Sequence, residues 1–162
     1  MERTSSRKWF EQFRRVKRWY TRFKSIDEGR LDTLTLDDYL DEVYAFFQNC
    51  HHLRDWILND DNLNIGPETL NTFINSHQEL QICGDLCNGT KHLKLLKKPW
   101  SEIEPKFGKR NIHLKLSAPE TPEIISIKYG IDTNEGEKDA FELATKCLQA
   151  WQIFLESHNV DI

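Results

Sequence analysis

The sequence is poor in the residues that most often interrupt regular structure, with 7 glycines and 5 prolines among 162 residues. Together with 38% hydrophobic and 30% charged residues, this composition excludes collagen-like, low-complexity and disordered classes. It favours a helix-rich globular protein. The chain is long enough to bury a hydrophobic core, and we interpret residues 1–162 as a single domain.

Long apolar runs and common enzyme motifs are also missing. No run approaches the roughly 18 apolar residues that a membrane span requires, and the N-terminal segment lacks the continuous apolar core of a secretory signal. The Walker A, dinucleotide-binding and GxSxG motifs are absent as well. We therefore expect a cytoplasmic protein without a membrane span, and we predict no cofactor and no metal.

Cysteine is scarce, and all four cysteines fall within helical patterns: Cys50, Cys83, Cys87 and Cys147. In such positions cysteine behaves as a small buried hydrophobe, which suits a reduced compartment. Cys83 and Cys87 lie four residues apart and, with Cys50 or a histidine, could form a zinc site. Structural zinc usually takes its cysteines from tight turns rather than from a helix interior, so the buried hydrophobic role is the preferred interpretation.

Positive charge is concentrated at the N-terminus. Residues 1–30 contain ten Lys and Arg against four acids, whereas residues 31–162 contain twelve against twenty-two. From Ser6 to about Ile26 the aromatic and aliphatic residues form one helical stripe, and the opposite face carries Lys8, Arg14, Arg15, Arg18 and Arg22. This basic face suits an acidic partner such as nucleic acid, an anionic membrane surface or the acidic body of the protein itself; a plain solvated face is the alternative.

The rest of the chain predicts a mainly α fold, a bundle of four to five helices spanning residues 35–158. A helix capped by Thr35 is expected to run to about Asn59, a short helix begins at Pro67, another covers residues 78–96, and the last covers residues 138–155. Two alternating segments predict a β-hairpin at about 111–129, inserted between the last two long helices. The edge of this hairpin could pair with another subunit, since an isolated hairpin is marginally stable.

Polar residues concentrate on two of these helices. Asp85, Asn88 and His92 recur at helical spacing and are expected to share one face. Gly89 lies in the same helix, where it costs stability unless another helix or a ligand approaches the backbone closely. On the preceding long helix Arg54 falls within the apolar side, so it needs a partner, and we predict that this partner is Asp85.

Together the two helices offer a candidate site consisting of His51, Arg54, Asp85, Asn88 and His92. If the helices face each other, arginine could stabilise charge on a phosphodiester while histidine moves a proton. A buried polar network without catalytic activity is the competing interpretation. The segment 91–115 is a second basic region, and we predict that Lys91 and Lys94 join the N-terminal arginines in binding nucleic acid.

The segments FFQNCHHLRDWI and CGDLCNGTKHLKL, within a predicted long-helix bundle, resemble small prokaryotic HEPN-type helical proteins. That resemblance implies binding or metal-independent cleavage of RNA in a defence or stress system. The ribonucleases of that family carry an Arg followed four to six residues later by a His. Here Arg54 alone corresponds to that motif, and His51 or His92 would stand in for the histidine.

The alternative function is a non-enzymatic protein-protein interaction module. It would use the basic N-terminal helix and the hairpin edge to join a larger assembly or to form a homodimer. A nucleic-acid binder without catalysis lies between the two hypotheses.

Overall fold

The chain folds into five helices and a small three-stranded antiparallel sheet, as a computed structural model shows for residues 7–30, 34–92, 98–115, 124–158 and 160. The elements follow one another in this order: α1 Lys8–Glu28, α2 Leu36–Leu58, α3 Pro67–Asn75, α4 Gln78–Lys91, β1 Lys106–Lys115, β2 Ile124–Thr133, β3 Gly136–Asp139 and α5 Ala140–Ser157. The predicted mainly α class with a hairpin between the last two long helices is confirmed. Within the described residues, no helix combines the length and apolar character needed to cross a membrane.

Helix α2 occupies the middle of the helical layer and packs against α1, α4 and α5. Thr35 begins it through a reciprocal pair of hydrogen bonds with Asp38, so the predicted N-terminal cap is confirmed. Its apolar stripe is buried along its full length: Tyr39, Val43, Phe46, Phe47, Cys50, Leu53 and Ile57. Because those residues recur every three or four positions, one continuous face of the helix is removed from water.

The sheet joins the helical layer through an aromatic cluster centred on Phe23 of α1. The Phe23 ring contacts the rings of Phe46, Phe47, Tyr129 and Phe141 at centroid distances of 5.3 to 6.5 Å. These partners come from α2, β2 and α5. Close edge-on and tilted ring contacts add to the free energy gained by burying the rings, so this cluster fixes the sheet onto the helices.

The sheet is larger than the sequence predicted. Strand β1 begins at Lys106 rather than near residue 111, and a third strand, β3, pairs with β2 outside the predicted hairpin. The β2–β3 turn contains Gly136 with φ of 120°, a conformation that favours glycine. A third strand and the packing of β2 on α1 stabilise a hairpin that would be marginal alone.

Helix α4 ends earlier than predicted. The helix stops at Lys91, and the C-cap residue His92 has the extended backbone angles φ −123° and ψ 121°. The prediction of one helix to residue 96 is therefore wrong at position 92. Lys94 and the predicted hairpin loop at 118–122 lie outside the described residues.

The start of α1 is held by a side chain from a distant part of the sequence. Asp60, which is only 3% exposed, accepts hydrogen bonds from the backbone N–H of Trp9 at 3.0 Å and from the backbone and side-chain N–H groups of Asn62. The helix has no side-chain cap of its own at Arg7. Asp60 thus satisfies an otherwise orphaned helical donor and ties α1 to the loop after α2.

We predict that Asp60→Ala lowers the free energy of unfolding by about 1–3 kcal/mol, because it removes a cap and leaves buried donors unpaired. Burial raises the pKa of Asp60, but hydrogen bonds from Trp9, Asn62 and Lys8 outweigh it and leave the pKa below its ordinary value of 3.8. A lowered pKa stabilises the fold above pH 3.8, so the difference between wild type and variant should be complete there and shrink as the pH falls further. Urea unfolding at several pH values measures this difference. The exposed neighbour Asp61→Ala is the control and should change stability by less than about 0.5 kcal/mol; an equal loss in both variants would contradict the capping role.

Candidate functional site

His51 lies at the contact between α2 and α4, where it covers a glycine. A methyl group placed on Gly84 would lie 3.1 Å from the His51 ring and 3.5 Å from the Trp100 ring. Gly84 therefore allows the histidine and the tryptophan to approach the α4 backbone closely. By contrast, no described atom lies within 4 Å of such a group on Gly89, so the close approach occurs at a different glycine from the one predicted.

The ionisation of His51 reflects its half-buried position. Burial lowers the pKa of His51, the neighbouring His52 lowers it further, and Asp55 opposes both effects. The ring is consequently neutral at pH 7, with one nitrogen available as an acceptor. A neutral imidazole is able to accept a proton, as the catalytic interpretation requires.

Arg54 does not use the partner that the sequence suggested. One guanidinium nitrogen lies 2.9 Å from Oδ1 of Asp55, and the other donates to Oδ1 of Asn71 at 3.1 Å. The Nε atom is buried and has no hydrogen-bond partner among the residues that the structure describes. Arg54 thus joins α2 to α3 rather than α2 to α4, and the predicted pairing with Asp85 is wrong.

Asp85 is buried, with 4% exposure, and its carboxylate holds the loop that follows α4. Oδ1 accepts the backbone N–H of Trp100 at 2.7 Å, and Oδ2 accepts both the backbone N–H and the hydroxyl of Ser101 at 2.8 and 2.6 Å. Three donors occupy the carboxylate, so it has the environment of a structural anchor. By fixing residues 100 and 101, it also places Trp100 against Gly84, the glycine that His51 covers.

The remaining predicted catalytic residues lie elsewhere on α4. Asn88 is exposed near the end of the helix, and His92 is exposed just beyond it, on extended backbone. Lys91, predicted to contact nucleic acid, is exposed in the last turn. His92 does not lie on the helical face of Asp85 and Asn88, because α4 ends at Lys91, one residue before it.

Three residues that sequence reasoning missed complete a polar surface around His51 and Arg54. Asn71 contacts Arg54, and Asn75 accepts the indole N–H of Trp100 at 2.8 Å. We call this surface the α2–α3 patch; it consists of His51, Arg54, Asn71, Asn75 and Trp100. Asn71 and Asn75 lie four residues apart on α3, and that spacing was the signal available in the sequence.

The basic face of α1 consists of Arg14, Arg15, Arg18, Arg22 and Trp19, and Trp56 of α2 adjoins it. Arg14 and Arg18 are exposed and have no ion-pair partner among the described residues. The Arg15 guanidinium lies 5.2 Å from the Trp56 ring, and that of Arg22 lies 4.8 Å from the Trp19 ring. A carboxylate oxygen of Glu42 lies 3.9 Å from the Arg22 guanidinium, and the Arg22 side chain is 58% exposed.

A group of thiols forms the only set of metal-ligand residues that the described part of the chain brings together. The sulfurs of Cys50, Cys83 and Cys147 lie within 4.8 Å of one another, in the core between α2, α4 and α5. Cys87, which the sequence paired with Cys83, is not part of this group. Cys147 takes its place because α5 packs on α4.

Comparison with known proteins adds no relative: no family model, curated protein or solved structure matches this chain. The HEPN-type resemblance therefore stays a prediction. Function must be argued from the arrangement of the residues themselves.

The two helix glycines provide a test of the contact beneath His51. Gly89→Ala should raise stability by about 0.5–1 kcal/mol, because alanine favours the helix and the added methyl meets open space. Gly84→Ala gains the same propensity but presses on the His51 ring, so it should be less stable than Gly89→Ala by about 1–2 kcal/mol. Thermal or urea unfolding of the two variants measures the difference. Equal stabilisation of both would mean that the ring moves aside freely.

Proposed function

We propose that this protein binds single-stranded RNA through the basic face of α1. The observation that carries the proposal is the arrangement of four arginines on one helical stripe, two of them 4.8 and 5.2 Å from indole rings and two of them without an ion-pair partner among the described residues. Arg14 and Arg18 are one turn apart, about 6 Å along the helix axis, and can contact successive phosphates of a strand.

The pairing of arginines with indole rings favours an unpaired strand over a duplex. Guanidinium groups and indole rings are planar surfaces on which an exposed base can stack. Bases in a duplex are already stacked on one another, so this contact rewards single strands. Sequence tolerance is expected, because every base has an aromatic face.

The negative charge of the rest of the chain restricts contact with nucleic acid to α1. Residues 31–162 have ten more acidic than basic residues, and this excess repels a phosphate backbone. The N-terminal thirty residues have the opposite excess of six, so α1 is the surface to which a nucleic acid is steered.

The arrangement of the predicted catalytic residues favours binding over cleavage. Asp85 is occupied by three donors, Arg54 is engaged with Asp55 and Asn71, and His92 lies beyond the end of α4. The predicted catalytic residues therefore do not assemble a general acid, a general base and a free cation around one point, as phosphodiester cleavage requires. A role in prokaryotic defence remains a prediction from the resemblance alone.

The decisive experiment measures the affinity for a labelled single-stranded RNA as a function of salt. We predict that the double variant Arg14→Gln with Arg18→Gln binds more weakly and that the slope of log affinity against log salt falls by about 1.4, or about 0.7 for each lost phosphate contact. The matched control is Lys138→Gln with Lys146→Gln, which removes the same charge from two lysines outside both α1 and the basic segment 91–115. An equal loss of RNA affinity in both double variants would mean that the effect comes from net charge alone.

A second measurement separates binding from catalysis. Incubation of the wild-type protein with the same RNA, with and without a chelator, should leave the RNA intact, and His51→Ala and Arg54→Ala should keep wild-type affinity. Cleavage that survives the chelator and disappears in either variant would move the function to the α2–α3 patch.

One feature supports the alternative of a protein interaction module. In the sheet order β1-β2-β3, strand β1 is an edge strand with Ile112 exposed. An open edge is able to pair with a strand of another chain. Lack of RNA binding at low salt would make this edge and the basic face of α1 the surfaces to test against protein partners.

A further inference from the structure

The three clustered thiols come from three different helices and meet at one point in the core. Cys50, Cys83 and Cys147 are 0 to 1% exposed, and their sulfurs lie within 4.8 Å of one another. Metal–sulfur bonds of about 2.3 Å place three sulfurs around one ion about 4 Å apart. The observed positions need only a small inward movement of the side chains to reach that geometry.

Two of the three thiols donate hydrogen bonds to backbone carbonyl oxygens, and the third lies near an indole N–H. The Cys83 thiol donates to the carbonyl oxygen of Phe47 at 3.3 Å, and that of Cys147 donates to the carbonyl oxygen of Glu79 at 3.2 Å. The indole N–H of Trp151 is buried, and no hydrogen-bond acceptor is assigned to it within the described part of the chain. It lies near the Cys50 sulfur, where it favours a thiolate.

The ionisation of the thiols follows from these contacts. Burial raises the pKa of Cys83 and of Cys147 well above the usual range. Burial also opposes ionisation of Cys50, but the two neighbouring thiols and Trp151 lower the pKa of Cys50. The thiolate is the form that binds metal.

We propose that Cys50, Cys83 and Cys147 form a three-coordinate site for one Cu(I) ion. Thiolates select soft ions, chiefly Cu(I) and zinc. Zinc takes a fourth ligand, either a residue or a water molecule, and the described residues bring no fourth ligand to this buried cluster. Cu(I) accepts three sulfurs without one.

Binding is an exchange of protons for a metal ion. The S–H protons of the three thiols pass to solvent, three copper–sulfur bonds form, and no electron is transferred. Affinity should therefore fall as the pH is lowered. Since the cluster is buried, entry requires a local opening of the helices, and loading should be slow compared with diffusion.

The test uses the full-length reduced protein under anaerobic conditions, with Cu(I) supplied from a colorimetric Cu(I) chelator that competes for the ion. We expect one Cu(I) per chain and an ultraviolet thiolate-to-copper absorption. We also expect the melting temperature to rise by roughly 5–10 °C at free Cu(I) about 100 times the Kd. X-ray absorption spectroscopy of the loaded protein should show three sulfur neighbours; one or two sulfurs, or added nitrogen, would overturn the site.

Four variants assign the ligands. Cys50→Ser, Cys83→Ser and Cys147→Ala should each lose at least about 100-fold in affinity, more than the loss of a supporting residue around a metal site usually costs. Cys87→Ser, a cysteine one turn from Cys83 but outside the cluster, should bind as tightly as the wild type. Circular dichroism confirms that each variant is folded before titration, and the X-ray absorption result on wild type stands even if one variant fails to fold.

Two further outcomes would overturn the proposal. One is undiminished Cu(I) affinity in the Cys50 and Cys147 variants. The other is preferential binding of Zn(II) in a direct competition between the two ions, which would require a fourth ligand and contradict a three-coordinate copper site.

Discussion

Burial of the apolar stripe of α2 is the constraint on which the other elements depend. That helix provides the common surface for α1, α4 and α5, and its ring at Phe47 also contacts Phe107 of β1 at 5.7 Å. Each contact removes apolar area from water, the largest favourable contribution to folding. The polar residues on the same helix, including His51 and Arg54, are positioned only because the stripe fixes the rotation of the helix about its axis.

Much of the helical architecture could be predicted from the sequence, because periodicity and capping are local properties. The stripes of α1, α2 and α5 and the cap at Thr35 depend on residues within a few positions of one another. The third strand was missed because the segment 136–139 has no alternation strong enough to indicate a strand. It becomes a strand through its pairing with β2, and such pairing is decided by tertiary contacts.

The candidate site was harder to predict, because the choice of partner for a polar side chain is a property of the whole fold. The sequence correctly indicated that Arg54 and Asp85 need partners, yet each found a different one. Arg54 pairs with Asp55 and Asn71, and Asp85 with the backbone at residues 100 and 101. No periodicity relates Asp85 to a loop fifteen residues later. The thiol cluster escaped prediction for the same reason, since its third member lies on the last helix.

The position of α5 at the end of the element order has a consequence for synthesis on the ribosome. Tyr20 of α1 donates to or accepts from Thr145 of α5, a separation of 125 residues along the chain. About 80 residues separate the end of α2 from the start of α5, so at about 5–20 residues per second the first two helices wait roughly 4–16 s for that partner. During this interval the apolar faces that α5 later covers are open to solvent and to other nascent chains. A chaperone that covers the exposed apolar faces of α1 and α2 would protect the nascent chain from aggregation during that interval.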